Sequence, residues 1–449
     1  MNTHFDADTL CISAYGAVTP LGSNLDEIHA SFMNEKSGIR EIEKFDHQYF
    51  QTHEAGIPVE GNKSLHWPKK SPFRNGELFY AGLAAKRLHE RLHLLEYYLA
   101  EDIGCIVGID EPAIDIEQCI GFSEKVPADA DKQCLVDAAL EHFKIGDFLD
   151  LDTTAVLKTI HEIIPFAGLS LAHLGLCSAS TQSIGLAMRA IRCGEIKAAI
   201  CGGVSAKVTP LNLARLEGMG VISTDQNYCG TRRSRPFDRH RSGFVLAEGA
   251  GLFVIETLSS VLARQGEPLA YLLGYGGALC AQHIVVPHKD DLEMQLSMER
   301  AIEHSGVDRN AIDFVNTHGT STLQNDQHEA SAIRTVFGAH HPAIVATKSW
   351  HGHLIAAAGA MEILGVLVSF QNDVLPRILN CDEPDPQLPD GIALVREHQH
   401  RPLKYALKNS FGMGGSAGSL VLGNPKYLQG THHANNELLI RKKLASDLS

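Results

Sequence analysis

The chain has 449 residues, 44% apolar and 20% charged, with 39 Lys+Arg against 53 Asp+Glu and a formal net charge of −14. This composition is too apolar for a disordered chain. The acidic balance excludes a broad nucleic-acid-binding face, which needs clustered Lys and Arg. At roughly 150 residues per domain the length allows three units or one large duplicated α/β body, and a core of that size folds without staples.

The N-terminal stretch Met1–Asp8 lacks the basic-then-apolar pattern of a secretory signal. No run of about 18 uncharged apolar residues suggests a membrane span. The ten cysteines are scattered with no C-x-x-C pair, so neither a disulfide framework nor a thiolate zinc site is expected. Together these point to a reduced, cytoplasmic protein.

Residues 10–18 read as a buried strand closed by Thr19-Pro20-Leu21-Gly22. Ser23 or Asn24 then caps a helix to about Met33, with Leu25, Ile28 and Phe32 on one face. Residues 60–76 carry turn formers and positive charge, and 110–165 are acidic with weak periodicity. Runs starting at Ala198, Gly251 and Ala343 have strand length. The phrase from Ala270 to Gly276 loosely echoes the opening strand, which suits a body of two halves. Strands alternating with helices predict α/β layers. The tail after Asn424 is polar and helix-like near Leu438.

Four constellations carry chemistry. In Gly175-Leu-Cys177-Ser-Ala179, a strand-like run leads into a helical pattern, Thr181 to Arg192, with Gly194 beyond its end. Strand, tight turn and helix make a nucleophile elbow, where small residues two before and two after the nucleophile relieve crowding. A cysteine at a helix N-terminus is expected to have a lowered pKa. The competing reading is a small buried hydrophobe.

Next comes Asn316-Thr-His318-Gly-Thr320-Ser-Thr322, a Gly/Thr-rich loop at a strand end, where sites collect in α/β folds. Taken alone, His318 could equally be a surface-loop histidine. Thr347-Lys348-Ser-Trp350-His351-Gly-His353 then runs into an Ala-rich helix that contains Glu362. His351 and His353 form an H-x-H pair, but no third ligand stands at helical spacing and Lys348 repels a cation, so no metal is expected. Last, Asn409-Ser-Phe411-Gly412-Met413-Gly-Gly-Ser416 is a Gly-rich loop without a Walker lysine. It suits backbone N–H donation to an oxyanion, or a gate.

A nucleophilic cysteine, two histidines, a lysine and a backbone N–H loop make a thioester-handling site. On these motifs the chain resembles the elongating β-ketoacyl-acyl-carrier-protein synthases (ketosynthases) of the thiolase superfamily. Gly16-Ala-Val-Thr-Pro-Leu-Gly with Ser37-Gly-Ile-Arg40, and Ser234-Arg-Pro-Phe-Asp238 with the run Gly243 to Gly251, resemble further family signatures. The resemblance covers residue 10 to about 424 and is weakest over 60–170.

It implies a five-layered αβαβα thiolase fold of two similar halves, 1–258 and 259–424, followed by the tail 425–449. It makes Cys177 the acyl-accepting nucleophile, His318 and His353 the catalytic pair, and Lys348 their support, with Asp326 and Glu362 holding that network. Thr320 and Thr322 match pantetheine-binding positions. Phe411, Gly412 and Met413 form the oxyanion and gating loop, with the Cys177 and Met413 N–H groups as donors.

No cofactor is implied beyond the phosphopantetheine arm of an acyl carrier protein, the expected partner. The family is dimeric, which allows a homodimer or a heterodimer with a related subunit. An acidic ketosynthase must meet an acidic carrier through a local basic patch, for which Lys69, Lys70, Arg74, Arg232, Arg233 and Arg235 are candidates.

Departures from the family pattern are Gly175-Leu176 before the cysteine, Ala179, Met413 in place of Phe, Ser416-Ala417 in place of Thr-Asn, and Trp350-His351. They favour a specialised polyketide, polyene or fatty-acid-like pathway over housekeeping synthesis. A chain-length-factor-type partner subunit typically lacks the cysteine, and a degradative thiolase needs a second cysteine that 409–418 does not contain. A hydrolase with a cysteine elbow leaves the His318/Lys348/His353 set unexplained.

Overall fold

The computed structural model describes residues 7–61, 76–112, 116–144, 152–280, 282–283 and 286–428. Lys69, Lys70, Arg74 and the tail beyond 428 lie outside the described residues.

The opening strand β1, Leu10–Val18, is buried along nearly its whole length. Helix α1 spans Leu25–Met33, and Asn24 caps it by accepting from Glu27 N. Leu25, Ile28 and Phe32 form its buried face, as the sequence spacing predicts. The first half then adds α2 (Gly76–Arg91), β2 (Ile103–Ile109), α3 (Thr154–His161), β3 (Ser170–Leu174), α4 (Ala179–Arg192), β4 (Ala198–Ser205) and β5 (Gly249–Thr257). The weakly periodic acidic stretch contains two further helices, Ile116–Ser123 and Lys132–His142.

The second half holds β6 (Ala270–Leu279), α5 (Leu292–Ser305), β7 (Phe314–Asn316), α6 (Leu323–Phe337), β8 (Ala343–Val345), α7 (Ala358–Asn372), β9 (Ala393–Leu394), β10 (Tyr405–Gly412) and β11 (Ser416–Gly423). One sheet runs β9-β8-β7-β10-β11-β6-β1-β5-β4-β2-β3. Numbered within each half, the five strands β1–β5 and the five strands β6, β7, β8, β10 and β11 follow the same order, 3-2-4-5-1. The two first strands meet antiparallel at the centre, Cys11 opposite Tyr271. The echo between residues 10–18 and 270–276 is therefore a topological equivalence.

Layering follows from the helix faces. α2 packs on β1, β5 and β4, whereas α5 packs on β6, β11 and β10. α4 and α7 touch both half-sheets and each other. α7 is buried from Ala358 to Phe370, as a helix with no polar face must be. Outer helix, sheet, central helices, sheet and outer helix make five layers. The segment Ile355–Asn372 alone among the described residues is long and apolar enough to cross a membrane, and it is 89% buried as this central layer.

Candidate active site

The site forms where the N-termini of the central helices meet the strand ends. After β3 the chain turns through Leu176–Ser178 and enters α4. Leu176 takes the left-handed φ of 48°, so the strain of the elbow falls one residue before the nucleophile. The requirement for small flanking residues is geometric. A Cβ on Gly175 would lie 2.8 Å from Ala179 Cα, and one on Gly108 would lie 2.6 Å from Ala179 Cβ.

Cys177 Sγ stands 3.1 Å from His353 Nε2. The rings of His318 and His353 meet edge-on at 5.2 Å, and Phe411 flanks His318 at 6.0 Å. One ligand atom from each of Cys177, His318 and His353 lies within 4.8 Å of the others. His353 is fixed by its backbone, with its N–H donating to Val245 O at 2.7 Å and its carbonyl accepting from Ala247 N at 2.9 Å. Gly352, at φ 78°, permits this approach because a Cβ there would lie 2.9 Å from Val245 O.

The expectation of a lowered thiol pKa is overturned. Burial pushes Cys177 up to about 12, against the lowering effect of the Lys348 charge. A buried thiolate loses more hydration than a single helix end restores. The thiol is therefore neutral at rest, and His353 is positioned to take its proton. Burial, reinforced by the Lys348 ammonium, also holds His318 and His353 well below the usual imidazole value, so both rings are neutral. Lys348 Nζ reaches His318 Nδ1 at 3.1 Å and donates to the His318 carbonyl at 2.6 Å. An ammonium can only donate, so Nδ1 accepts and Nε2 carries the proton. The N–H groups of Met413 and of Cys177 itself hydrogen-bond Sγ and lower its pKa. Both amides thus lie beside the sulfur, where the carbonyl oxygen of a thioester formed on it would meet them as oxyanion donors.

A cavity of about 410 Å³ opens over these groups, and Cys177, His318, His353, Thr320, Thr322 and Met413 share its wall. Thr320 and Thr322 hydrogen-bond each other at 2.9 Å, and Thr322 also caps α6 by accepting from Asn325 N.

The supporting carboxylates divide differently from expectation. Glu362 pairs with Lys348, as anticipated. Asp326 touches neither Lys348 nor either histidine. It accepts from Phe237 N at 2.9 Å and Ser321 N at 3.2 Å, pinning the central signature to the Thr-rich loop. The carboxylate that holds His318 is Glu329, which accepts from His318 N and Gly319 N, both at 2.8 Å. Burial pushes Glu329 up to about 7. Its sequence signal is its place one turn beyond Asp326 on a helix capped at Thr322.

A second omission is Lys408, fully buried in β10 and paired with Glu362 Oε2 at 2.8 Å. A lysine inside an apolar strand was its signal. Trp350 is core, with its ring against Phe32 at 5.3 Å and its Nε1 donating to Arg377 O. His351 is buried without a hydrogen-bond partner among the described residues.

The basic patch shrinks to one described member. Arg233 is buried and bound to Glu54 and Ser223 O. Arg235 is buried against Asp238 and lies over Tyr228. Arg232 is exposed.

Residues 159–260 match the β-ketoacyl synthase N-terminal domain and residues 269–382 its C-terminal domain. The chain is 30% identical over 422 residues to 3-oxoacyl-[acyl-carrier-protein] synthase 2 of Vibrio cholerae, covering 91% of this chain and 97% of the relative. It is 27% identical over 410 residues to the protein of the same name from Synechocystis, covering 90% and 95%. Among solved structures it is similar to the ishigamide ketosynthase/chain length factor, at 26% identity and a TM-score of 0.79 over 93% of this chain and all of that one. A β-ketoacyl synthase from Burkholderia phymatum shares the fold at a TM-score of 0.81, with 24% identity over 93% and 99% of the two chains. The chain thus belongs to the β-ketoacyl-[acyl-carrier-protein] synthases of the thiolase superfamily, acyltransferases that form a carbon–carbon bond.

Proposed function

We propose that Cys177 carries the growing acyl chain and that His318 and His353 drive its decarboxylative condensation with malonyl-acyl-carrier-protein. The observation that carries this reading is the convergence of Cys177 Sγ, His353 Nε2 at 3.1 Å and the Met413 amide on one cavity. In the first half-reaction the sulfur attacks the carrier thioester carbonyl while its proton passes to His353. The carrier thiol then leaves, taking a proton. In the second, malonyl thioester loses CO2 and negative charge grows on the thioester oxygen, within reach of His318 Nε2–H and of His353 once solvent has returned a proton to its Nε2. The enolate carbon attacks the acyl-Cys177 carbonyl, the C–S bond breaks, the departing sulfur takes a proton from solvent by way of His353, and a β-ketoacyl chain two carbons longer leaves on the carrier. Thr320 and Thr322, on the cavity wall, receive the pantetheine arm. No cofactor beyond that arm enters the scheme.

The substrate class fits a specialised polyketide, polyene or fatty-acid-like pathway, because the loop beside the cysteine carries the flexible Met413. The working unit is a dimer, with a second copy or a related subunit covering the unpaired edge of β3. A partner-subunit role of the chain-length-factor type is the second reading, and likeness to a ketosynthase/chain length factor structure favours keeping it.

Intact-mass measurement after incubation with acyl-loaded carrier proteins tests the assignment. The expected result is an acyl adduct on the wild-type chain that is absent in Cys177→Ala. Folded wild-type protein that takes no adduct from any carrier would assign it to the partner-subunit class.

A further inference from the structure

Glu362 serves two lysines. Lys348 binds Oε1, and Lys408 stands 2.8 Å from Oε2 as an ion pair without hydrogen-bond alignment. All three side chains are buried, so two ammonium groups share one carboxylate, with Glu329 the next carboxylate facing Lys408, beside two neutral imidazoles. Lys408 donates to Thr181 Oγ1 at 2.9 Å and to Ser410 Oγ. Those two hydroxyls also bond each other at 2.8 Å. Thr181 lies in the first turn of the helix that follows Cys177, and Ser410 immediately precedes Phe411. Lys408 therefore touches the nucleophile helix, the oxyanion strand and the partner of Lys348 at once.

We propose that Lys408 is a positioning residue for the condensation, a second ammonium that shares Glu362 with Lys348 and locks the nucleophile helix to the oxyanion strand. The assignment rests on the ketosynthase reading above. Its consequence is electrostatic. With Lys408 protonated, Glu362 divides its charge between two ammonium groups, so Lys348 beside His318 is less neutralised, which favours the thioester enolate formed on decarboxylation.

The groups facing Lys408 are Glu362 from α7, Lys348 from the turn before it, Glu329 from α6, Thr181 from α4, its strand neighbour Ser410, and the His318 and His353 rings, which its charge also depresses. Burial holds Lys408 at about 8, with Lys348 adding to the depression and Glu362 opposing it. Among the reacting groups, Cys177 titrates far above that value and both histidines far below it. Lys408 is thus positioned to give a basic limb of its own.

The test is the pH profile of malonyl-carrier decarboxylation by the full-length enzyme and by Lys408→Met. In the wild type, kcat is expected to fall as pH rises through about 8. In Lys408→Met, kcat at neutral pH should drop about tenfold or more, KM should move less than about threefold, and the basic limb should vanish. A folded variant that keeps the wild-type kcat and limb overturns the proposal. Should circular dichroism show Lys408→Met unfolded, Thr181→Val decides. Loss of one acceptor for the ammonium should move the limb to lower pH, and an unmoved limb overturns the assignment. A wild-type enzyme that decarboxylates no malonyl carrier instead overturns the ketosynthase reading itself, and this assignment with it.

Discussion

At the residue scale, the least obvious participant is Glu329, whose two oxygens hold the amides of His318 and Gly319. Only the ionised carboxylate can accept at both oxygens, so its grip on the loop depends on protonation. Its folded value, about 7, is raised above the ordinary 4.5. As pH falls through 7 the proton returns and the His318 backbone loses one of its anchors. Malonyl decarboxylation should therefore show an acid limb near 7. Glu329→Gln should lack that limb and run about tenfold or more slower at its optimum, because one oxygen is replaced by a donor. The stability effect has the opposite sense. Between 4.5 and 7 the native state binds more protons than the unfolded chain, so this group's contribution to stability is lost as pH rises through that window. Thermal unfolding at pH 5 and pH 8 checks it: Glu329→Gln should flatten the slope. Asp110 is also raised to about 7 by burial. Burial raises Glu77 and Asp326 as well, so a slope unchanged in Glu329→Gln would assign the effect to these other buried carboxyls.

At the element scale, catalysis depends on how closely α4 and α7 approach. A Cβ on Gly359, in the first turn of α7, would lie 2.3 Å from Thr181 Oγ1, 2.7 Å from Ser180 Oγ and 3.1 Å from Lys408 Nζ. Gly359→Ala must displace these side-chain ends or push the helices apart, at an overpacking cost of about 1–3 kcal/mol. Because Thr181 and Lys408 are what it displaces, kcat should fall more than stability alone explains. Equal kcat in a destabilised variant would mean that the helix contact is structural only. This contact also marks what a single sequence can reveal. The elbow at Cys177, the His318 loop and the Lys348–His353 turn were legible because their chemistry is written in short, local residue patterns. The Asn24 cap and α1 were legible for the same reason. Lys408 was not, because its partner Thr181 lies 227 positions away; Glu329 was masked by the equally acidic Asp326 on the same helix, although the His318 amide it holds is only 11 positions back. Asp326 misled because its acidic character is visible in sequence while its partner Phe237, 89 positions away, is set by tertiary contact. The thiol pKa misled because a helix end is local and burial is not. The basic patch failed likewise, since burial and pairing consume Arg233 and Arg235.

At the scale of the whole molecule, the sheet has two edge strands among the described residues, the two-residue β9 and the five-residue β3. β3 pairs in parallel with β2, and its far edge has no strand neighbour among the described residues. It carries no charge along Ser170–Leu174 and exposes Leu171 and Leu174 at 41% and 57%. An apolar, uncharged edge of this kind is a pairing template unless something covers it. A twofold axis would let the same strand cover itself, since antiparallel pairing is self-complementary. Leu174 lies three residues before Cys177, so whatever holds the edge also steadies the elbow. The double variant Leu171→Lys/Leu174→Lys places two like charges on each copy, and sedimentation should show half the wild-type mass. Its acyl-adduct rate should fall with it, and should fall in the wild type on dilution as the dimer dissociates. If the charged variant sediments like the wild type, the edge is not the interface. If the wild type alone is monomeric and inactive but gains activity when a related subunit is added, the edge is built for that subunit instead.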